Sequence, residues 1–178
     1  MKIIAGTAKG TPLRTPRTGT RPMTGRARES IFSIVAFRLP GSAVLDLFAG
    51  SGSLGLEALS RGAERAVFVE MSRAAADVIM SNIEKVGLGG TVVNASAERA
   101  IPKLNGTFDL VFVDPPYADD DASVRALLDL LGPVVAIGGL VVMHRQANSA
   151  VTVPDFLTSV DERHYGDAVV TMMERIES

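Results

Sequence analysis

The order of elements predicts an α/β fold: a doubly wound, mostly parallel seven-stranded sheet, preceded by a small β-hairpin and a helix. Three observations carry this. Short runs rich in β-branched residues alternate with helix-period segments through most of the chain, an alternation that implies a parallel sheet covered on both faces. Gly50-Ser-Gly52-Ser-Leu-Gly55 stands between a strand and a helix, where a Gly-x-Gly-x-x-Gly turn belongs in such folds. The chain then closes on two strand-like runs around Gly166-Asp167, which reads as a tight antiparallel hairpin on the sheet edge.

Taken in order, Lys2 to Gly6 and Pro12 to Thr15 read as short strands around Lys9-Gly10. Arg26 to Phe37 reads as a helix, with Thr24 as N-cap, Ala27, Ile31, Ile34 and Val35 on one face, and Pro40-Gly41 as its stop. The parallel strands are Ala43 to Phe48, Ala66 to Glu70, Thr91 to Asn94, Leu110 to Val113 and Val134 to Met143. The helices between them are Ser53 to Arg61, Ser72 to Val86, Ala97 to Lys103 and Asp121 to Leu131. Leu157 to Tyr165 and Ala168 to Arg175 form the closing hairpin. Asp119, Asp120 and Asp121 fall in a loop and first helical turn, where negative charge is favourable. With 178 residues, 47% of them hydrophobic, the chain can bury a core without disulfides. It divides into an extension, residues 1–40, and a main domain, residues 41–178.

Asp114-Pro115-Pro116-Tyr117 ends the apolar run from Phe108 to Val113. These residues suit an exocyclic amino group of a nucleobase, a poor nucleophile because its lone pair is delocalised into the ring. An enzyme alkylating such a nitrogen must hold its N–H groups and accept charge as the bond forms. The Asp114 carboxylate and Pro115 carbonyl can do both, and two successive prolines keep that carbonyl out of helix and ladder. Tyr117 offers a flat face for an unstacked base. Alone, the tetrapeptide equally describes a rigid strand-to-loop turn.

The glycine turn supplies context. Gly50 and Gly52 can take positive φ and let backbone approach a ligand, while Gly55 lets helix and strand pack closely. Glu70, at the end of the next strand, aims a carboxylate at ribose hydroxyls. That spacing would serve NAD as well. Asp46 tips the choice toward S-adenosylmethionine (SAM), because its charge opposes a pyrophosphate but suits an ammonium and a sulfonium.

Charge is distributed unevenly. Met1 to Arg38 holds Lys2, Lys9, Arg14, Arg17, Arg21, Arg26, Arg28 and Arg38 against Glu29 alone, a formal +7 in a chain of net charge −2. A basic arm on an acidic body fits phosphate binding on one side only, although such a run in isolation would also describe a solvated loop. The arm's candidate nucleic-acid contacts are Lys9, Arg14, Arg17, Arg21, Arg26 and Arg28. The absence of cysteine excludes thiolate metal sites, iron–sulfur chemistry and the cysteine adduct that activates C5 of a pyrimidine. His144 and His164 read as ordinary strand residues, and no metal is expected. With no apolar run of membrane-spanning length and no secretory leader, a cytoplasmic location is expected.

The chain resembles the RsmD family of bacterial SAM-dependent methyltransferases. The likeness runs from Ile4-Ala-Gly6 and Lys9-Gly10 through Thr20-Arg21-Pro22 and Arg26-Ala-Arg28-Glu29-Ser30-Ile-Phe32. It continues through the glycine turn and Asp114-Pro-Pro-Tyr117 to Tyr165-Gly166-Asp167. The resemblance implies a class I, Rossmann-like methyltransferase domain with strand order 3-2-1-4-5-7-6. It implies methyl transfer to N2 of a guanine in 16S rRNA, within a ribosomal particle, by a monomer. Asp114, Pro115 and Tyr117 would be catalytic, and Asp46, Gly50, Gly52, Gly55, Glu70, Met71, Ser96 and Ala97 would bind the cofactor. Met23 and Gly25 depart from the family pattern, and so does Ser96, where an Asp or Asn commonly meets the adenine amino group. The alternatives are a DNA adenine-N6 or cytosine-N4 methyltransferase and a non-catalytic SAM- or RNA-binding module. About forty residues outside the catalytic core leave little for reading DNA sequence, so shape recognition of RNA is the expectation.

Overall fold

A computed structural model describes residues 1–17 and 23–177. Seven strands form one sheet in the order β3-β2-β1-β4-β5-β7-β6, as the resemblance implies. The parallel members are β1 (Ala43–Leu47), β2 (Arg65–Val69), β3 (Thr91–Val93), β4 (Phe108–Val113) and β5 (Val135–Gln146). β6 (Leu157–Tyr165) and β7 (Ala168–Arg175) form the antiparallel hairpin, with β7 paired to β5. Five helices accompany the described strands: α1 (Gly25–Ile34), α2 (Ser53–Ser60), α3 (Arg73–Val86), α4 (Ala97–Ala100) and α5 (Asp121–Asp129). Thr24, Ser72 and Asp120 cap α1, α3 and α5, accepting from Ala27 N at 3.2 Å, Ala75 N at 3.4 Å and Ser123 N at 2.7 Å. Each cap satisfies an amide the helix cannot, a contribution of about 1 kcal/mol.

Alternation along the strands divides the core between two faces. Val44, Leu110, Phe112 and Val142 pack with the α1, α2 and α3 side, whereas Leu45, Val111, Val113 and Val141 pack with α4 and α5. Ile3, Leu13, Ile31, Phe32, Val35 and Leu39 belong to the first of these clusters. The N-terminal extension therefore shares its core with the sheet.

The expected N-terminal hairpin is reduced to one antiparallel bridge, Lys2 to Pro12, with no strand on either side. The cause lies in α2. Glu57, fully buried, accepts from Ile4 N at 2.7 Å and Ala5 N at 3.0 Å, and Ser60 O accepts from Thr7 N at 2.7 Å. Ile3 N donates to Thr11 O, Gly10 N to Ile3 O and Leu13 N to Met1 O, but beyond Ile3 the amides of Ile4, Ala5 and Thr7 go to a side chain and a helix end, so the pairing does not extend. The first helix is also shorter than expected: α1 stops at Ile34 and gives way to a 3-10 turn, Ala36–Arg38.

Register places the functional edge. Leu47 is level with Val69 and Val113, Val69 with Val93, and Val113 with Met143. One step further along each strand come Phe48, Glu70, Asp114, Asn94 and His144, a row along the carboxyl ends of the sheet. Between β1 and β4 the strand order reverses, which opens the crevice where such folds bind ligands.

Candidate active site

The glycine turn is built as its sequence demands. Gly50 and Gly52 have φ of +58° and +74°. A Cβ on Gly50 would meet only the Phe48 carbonyl at 3.9 Å, so this backbone faces open space, whereas a Cβ on Gly55 would lie 2.4 Å from the Phe68 ring. Phe48 itself sits at φ 59°, a left-handed conformation that is strained for an aromatic residue.

Two carboxylates accept hydrogen bonds from the turn. Asp46 is 1% exposed and accepts from Gly55 N at 2.9 Å, so it ties the glycine turn to the end of β1. Burial pushes its pKa up to about 8, offset in part by the Gly55 amide and reinforced by the nearby Asp114 and Glu70. Glu70 bridges two loops, accepting from Gly50 N at 2.9 Å and Ser72 N at 2.7 Å. Asn94 Nδ2 donates to the Glu70 and Met71 carbonyls at 2.8 and 3.0 Å, leaving Met71 73% exposed beside Glu70. Ser96 stands at the start of α4 without a capping bond from its side chain, and Ala97 behind it is buried. This set fits SAM: a carboxylate for a diol, a hydroxyl for an adenine edge, and beneath the turn a buried carboxyl that a bound cation would draw into its ionised form.

Across the crevice, Asp114 is 27% exposed at its side chain and Pro115 is buried. Among the described residues no hydrogen bond ends on the Pro115 carbonyl, while the Pro116 carbonyl accepts from Asp119 N and from Arg145 Nη1, both at 3.0 Å. Arg145 also donates to the Asp119 carbonyl at 2.6 Å and is itself buried. Its neighbour His144 is buried too, with Nδ1 2.8 Å from Asp114 Oδ1 and its ring 5.9 Å from that of Tyr117. Reading His144 as an ordinary strand residue missed this contact. His164, by contrast, lies exposed beside Glu162. No local signal marked the His144 contact: β5 runs to Gln146 rather than Met143, and only the fold sets its last residues next to Asp114.

The basic arm is divided in two by the fold. Lys9, Arg14, Arg17 and Arg26 are exposed; Arg21 lies outside the described residues. Arg28 is corrected. It is 4% exposed, its Nη2 donates to the Lys2 carbonyl at 2.8 Å while Nε and Nη1 are buried without a partner among the described residues, and burial lowers its pKa, so it ties α1 to the arm and has little surface to offer a phosphate. Asn82, fully buried on α3, was also missed. It exchanges bonds with Arg14 N and O, both at 2.9 Å, and donates to Ser51 O at 2.8 Å, fastening the arm to the glycine turn.

The model of the family described as conserved hypothetical protein 95 matches residues 1–174. The chain belongs to this family, the RsmD family. Ribosomal RNA small subunit methyltransferase D of Escherichia coli K12 is 40% identical over 119 residues, 66% of this chain and 60% of that protein. The match thus spans less than two thirds of that relative. In structure, Escherichia coli yhhF, provisionally named a methyltransferase, is similar with a TM-score of 0.89 and 32% identity over 100% of this chain and 99% of the other. A hypothetical protein of Thermus thermophilus gives a TM-score of 0.85 at 34% identity, covering 98% of this chain and 99% of the other. The fold is that of the class I methyltransferases.

Proposed function

We propose that this RsmD-family protein transfers a methyl group from SAM to the exocyclic N2 of a guanine in small-subunit rRNA. The observation that carries the reading is that β4, next to β1 at the switch point, ends in Asp114 and a Pro115 carbonyl on which no hydrogen bond ends among the described residues, with Tyr117 following. Membership of the family and the name of the Escherichia coli relative support the RNA substrate. SAM supplies an electrophilic methyl group on a sulfonium. Asp114 and the Pro115 carbonyl accept the two N–H groups of the target amine and draw its lone pair out of the ring. Tyr117 holds the base face after it leaves its stack, a step that costs a few kcal/mol and least in a loop. As the nitrogen becomes cationic, Asp114 takes one of its protons and, being partly exposed, returns it to water.

The test is mass spectrometry of nucleosides from small-subunit particles lacking the modification, after incubation with the purified protein and labelled SAM. N2-methylguanosine is expected. N6-methyladenosine would overturn the base assignment and spare the amino chemistry; 5-methylcytidine would end both.

Two expectations concern the cofactor alone. Glu70→Ala removes the ribose acceptor and the bridge between Gly50 and Ser72, and should weaken SAM by about 2 kcal/mol, roughly thirtyfold, by calorimetry. RNA affinity should be unchanged.

Asp46 makes binding pH-dependent. Its folded pKa is raised, so its contribution to stability of the free protein is fully present below the ordinary Asp value and is lost as pH rises through about 8. A cationic ligand favours the ionised form. SAM binding at pH 7 should therefore release a proton, seen as a buffer-dependent enthalpy, with affinity rising toward pH 8 and levelling above it. An enthalpy independent of buffer would remove Asp46 from the binding equilibrium.

A further inference from the structure

We propose that His144 is a positioning residue for the target-amine acceptor, holding Asp114 Oδ1 so that Oδ2 is presented to the base, and packing its ring beside that of Tyr117. The inference rests on the proposed amine methylation but has its own observations. β4 and β5 are paired in register through Val113 and Met143, so the next residue on each strand, Asp114 and His144, emerges side by side. The two meet at 2.8 Å, with the His144 side chain 6% exposed. An ionised carboxylate has only acceptors, so Nδ1 must carry the hydrogen of this bond. The same ring lies 5.9 Å from Tyr117, tilted by 46°, within the range of a favourable aromatic contact. One buried imidazole therefore touches both side chains assigned to hold the base.

The need for such a group follows from torsional freedom. The terminal torsion of an aspartate is broad, so an unsupported carboxylate at the mouth of a crevice would spread its acceptors over many directions. Pinning one oxygen converts the other into an oriented acceptor before the substrate arrives, which is where preorganised groups gain their effect. Arg145, the next residue, does the equivalent for the backbone by gripping the Pro116 and Asp119 carbonyls. The end of β5 is thus a brace for the whole Asp114 to Tyr117 turn.

Two measurements test this, one of them without substrate or cofactor. The chain has 2 histidines, so in His164→Gln a long-range proton–nitrogen NMR correlation reads His144 alone. A fixed Nδ1-protonated ring is expected, and Asp114→Ala should release it to a mixture of tautomers. An Nε2-protonated ring in the parent, or a spectrum indifferent to Asp114→Ala, would overturn the proposal. In turnover, His144→Leu should lower kcat about tenfold with KM for SAM unchanged, and His144→Asn, which keeps an N–H near the Nδ1 position, should recover to within about threefold. Wild-type kcat in His144→Leu, or equal loss in both variants, would also overturn it. Failure to form N2-methylguanosine would instead strike the reading of the substrate and leave the NMR result standing.

Discussion

Asp114→Asn is expected to lower kcat roughly a hundredfold at saturating SAM, equivalent to about 3 kcal/mol of transition-state stabilisation, with the fold intact. The amide keeps the shape and one acceptor, but loses the charge whose attraction grows as the target nitrogen becomes cationic, and it cannot take the proton that must then leave. Asp114→Ala should be worse. It removes the acceptor altogether and leaves the buried His144 without its carboxylate partner, at the cost of an unsatisfied polar group. A second readout separates a local electrostatic effect from misfolding. The Asp114 charge is one of the causes holding the Asp46 pKa high, so Asp114→Asn should lower that pKa and reduce the proton release on SAM binding at pH 7. Full turnover by either variant would take Asp114 out of the reaction.

The parts of this site that could be read from sequence are those fixed by local rules. Gly50 and Gly52 need positive φ, and Gly55 needs to lack a side chain against Phe68; both requirements are visible in the spacing of three glycines after a strand. The β6 and β7 boundaries follow from alternation about Gly166, and both were legible to the residue. What stayed hidden was tertiary. The apolar run of β5 ends at Met143, and His144-Arg145-Gln146 reads as an exit to solvent. In the fold, the Asp114 to Tyr117 turn lies over His144 and Arg145 and makes buried strand of them.

The extension shows the same limit from the other side. Strand propensity around Lys9-Gly10 predicted a ladder, yet Glu57 on α2 claims the amides of Ile4 and Ala5. Nothing local to residues 1–15 announces a partner more than forty positions away. Arg28 was grouped with the arm because charge patterns do not say which side of a helix is covered; α1 turns it inward against Lys2 O. Asn82 carries no signal in a helix of mixed polarity, and its role exists only where the arm, α3 and the glycine turn meet.

That division of the arm sharpens the second large prediction. Among the described residues, Lys9, Arg14, Arg17 and Arg26 are the exposed cations of the assigned RNA contacts, and replacing all four by Ala should weaken small-subunit rRNA binding without touching SAM. Each phosphate contact contributes roughly 0.7 to 0.9 to the slope of log affinity against log salt, so the slope should flatten by about 3. Between about 50 and 200 mM salt, the parent should then lose roughly sixtyfold more affinity than the variant. The backbone around Arg14 is held by Asn82 through N and O rather than through its guanidinium, so the arm should remain docked in the variant. Arg28→Ala is the internal control. Its guanidinium is buried with Nη2 bonded to the Lys2 carbonyl, so its loss should lower thermal stability and leave the salt slope alone. A fourfold variant with an unchanged slope would mean that these charges face only water, and the binding surface for RNA would have to lie elsewhere on the molecule.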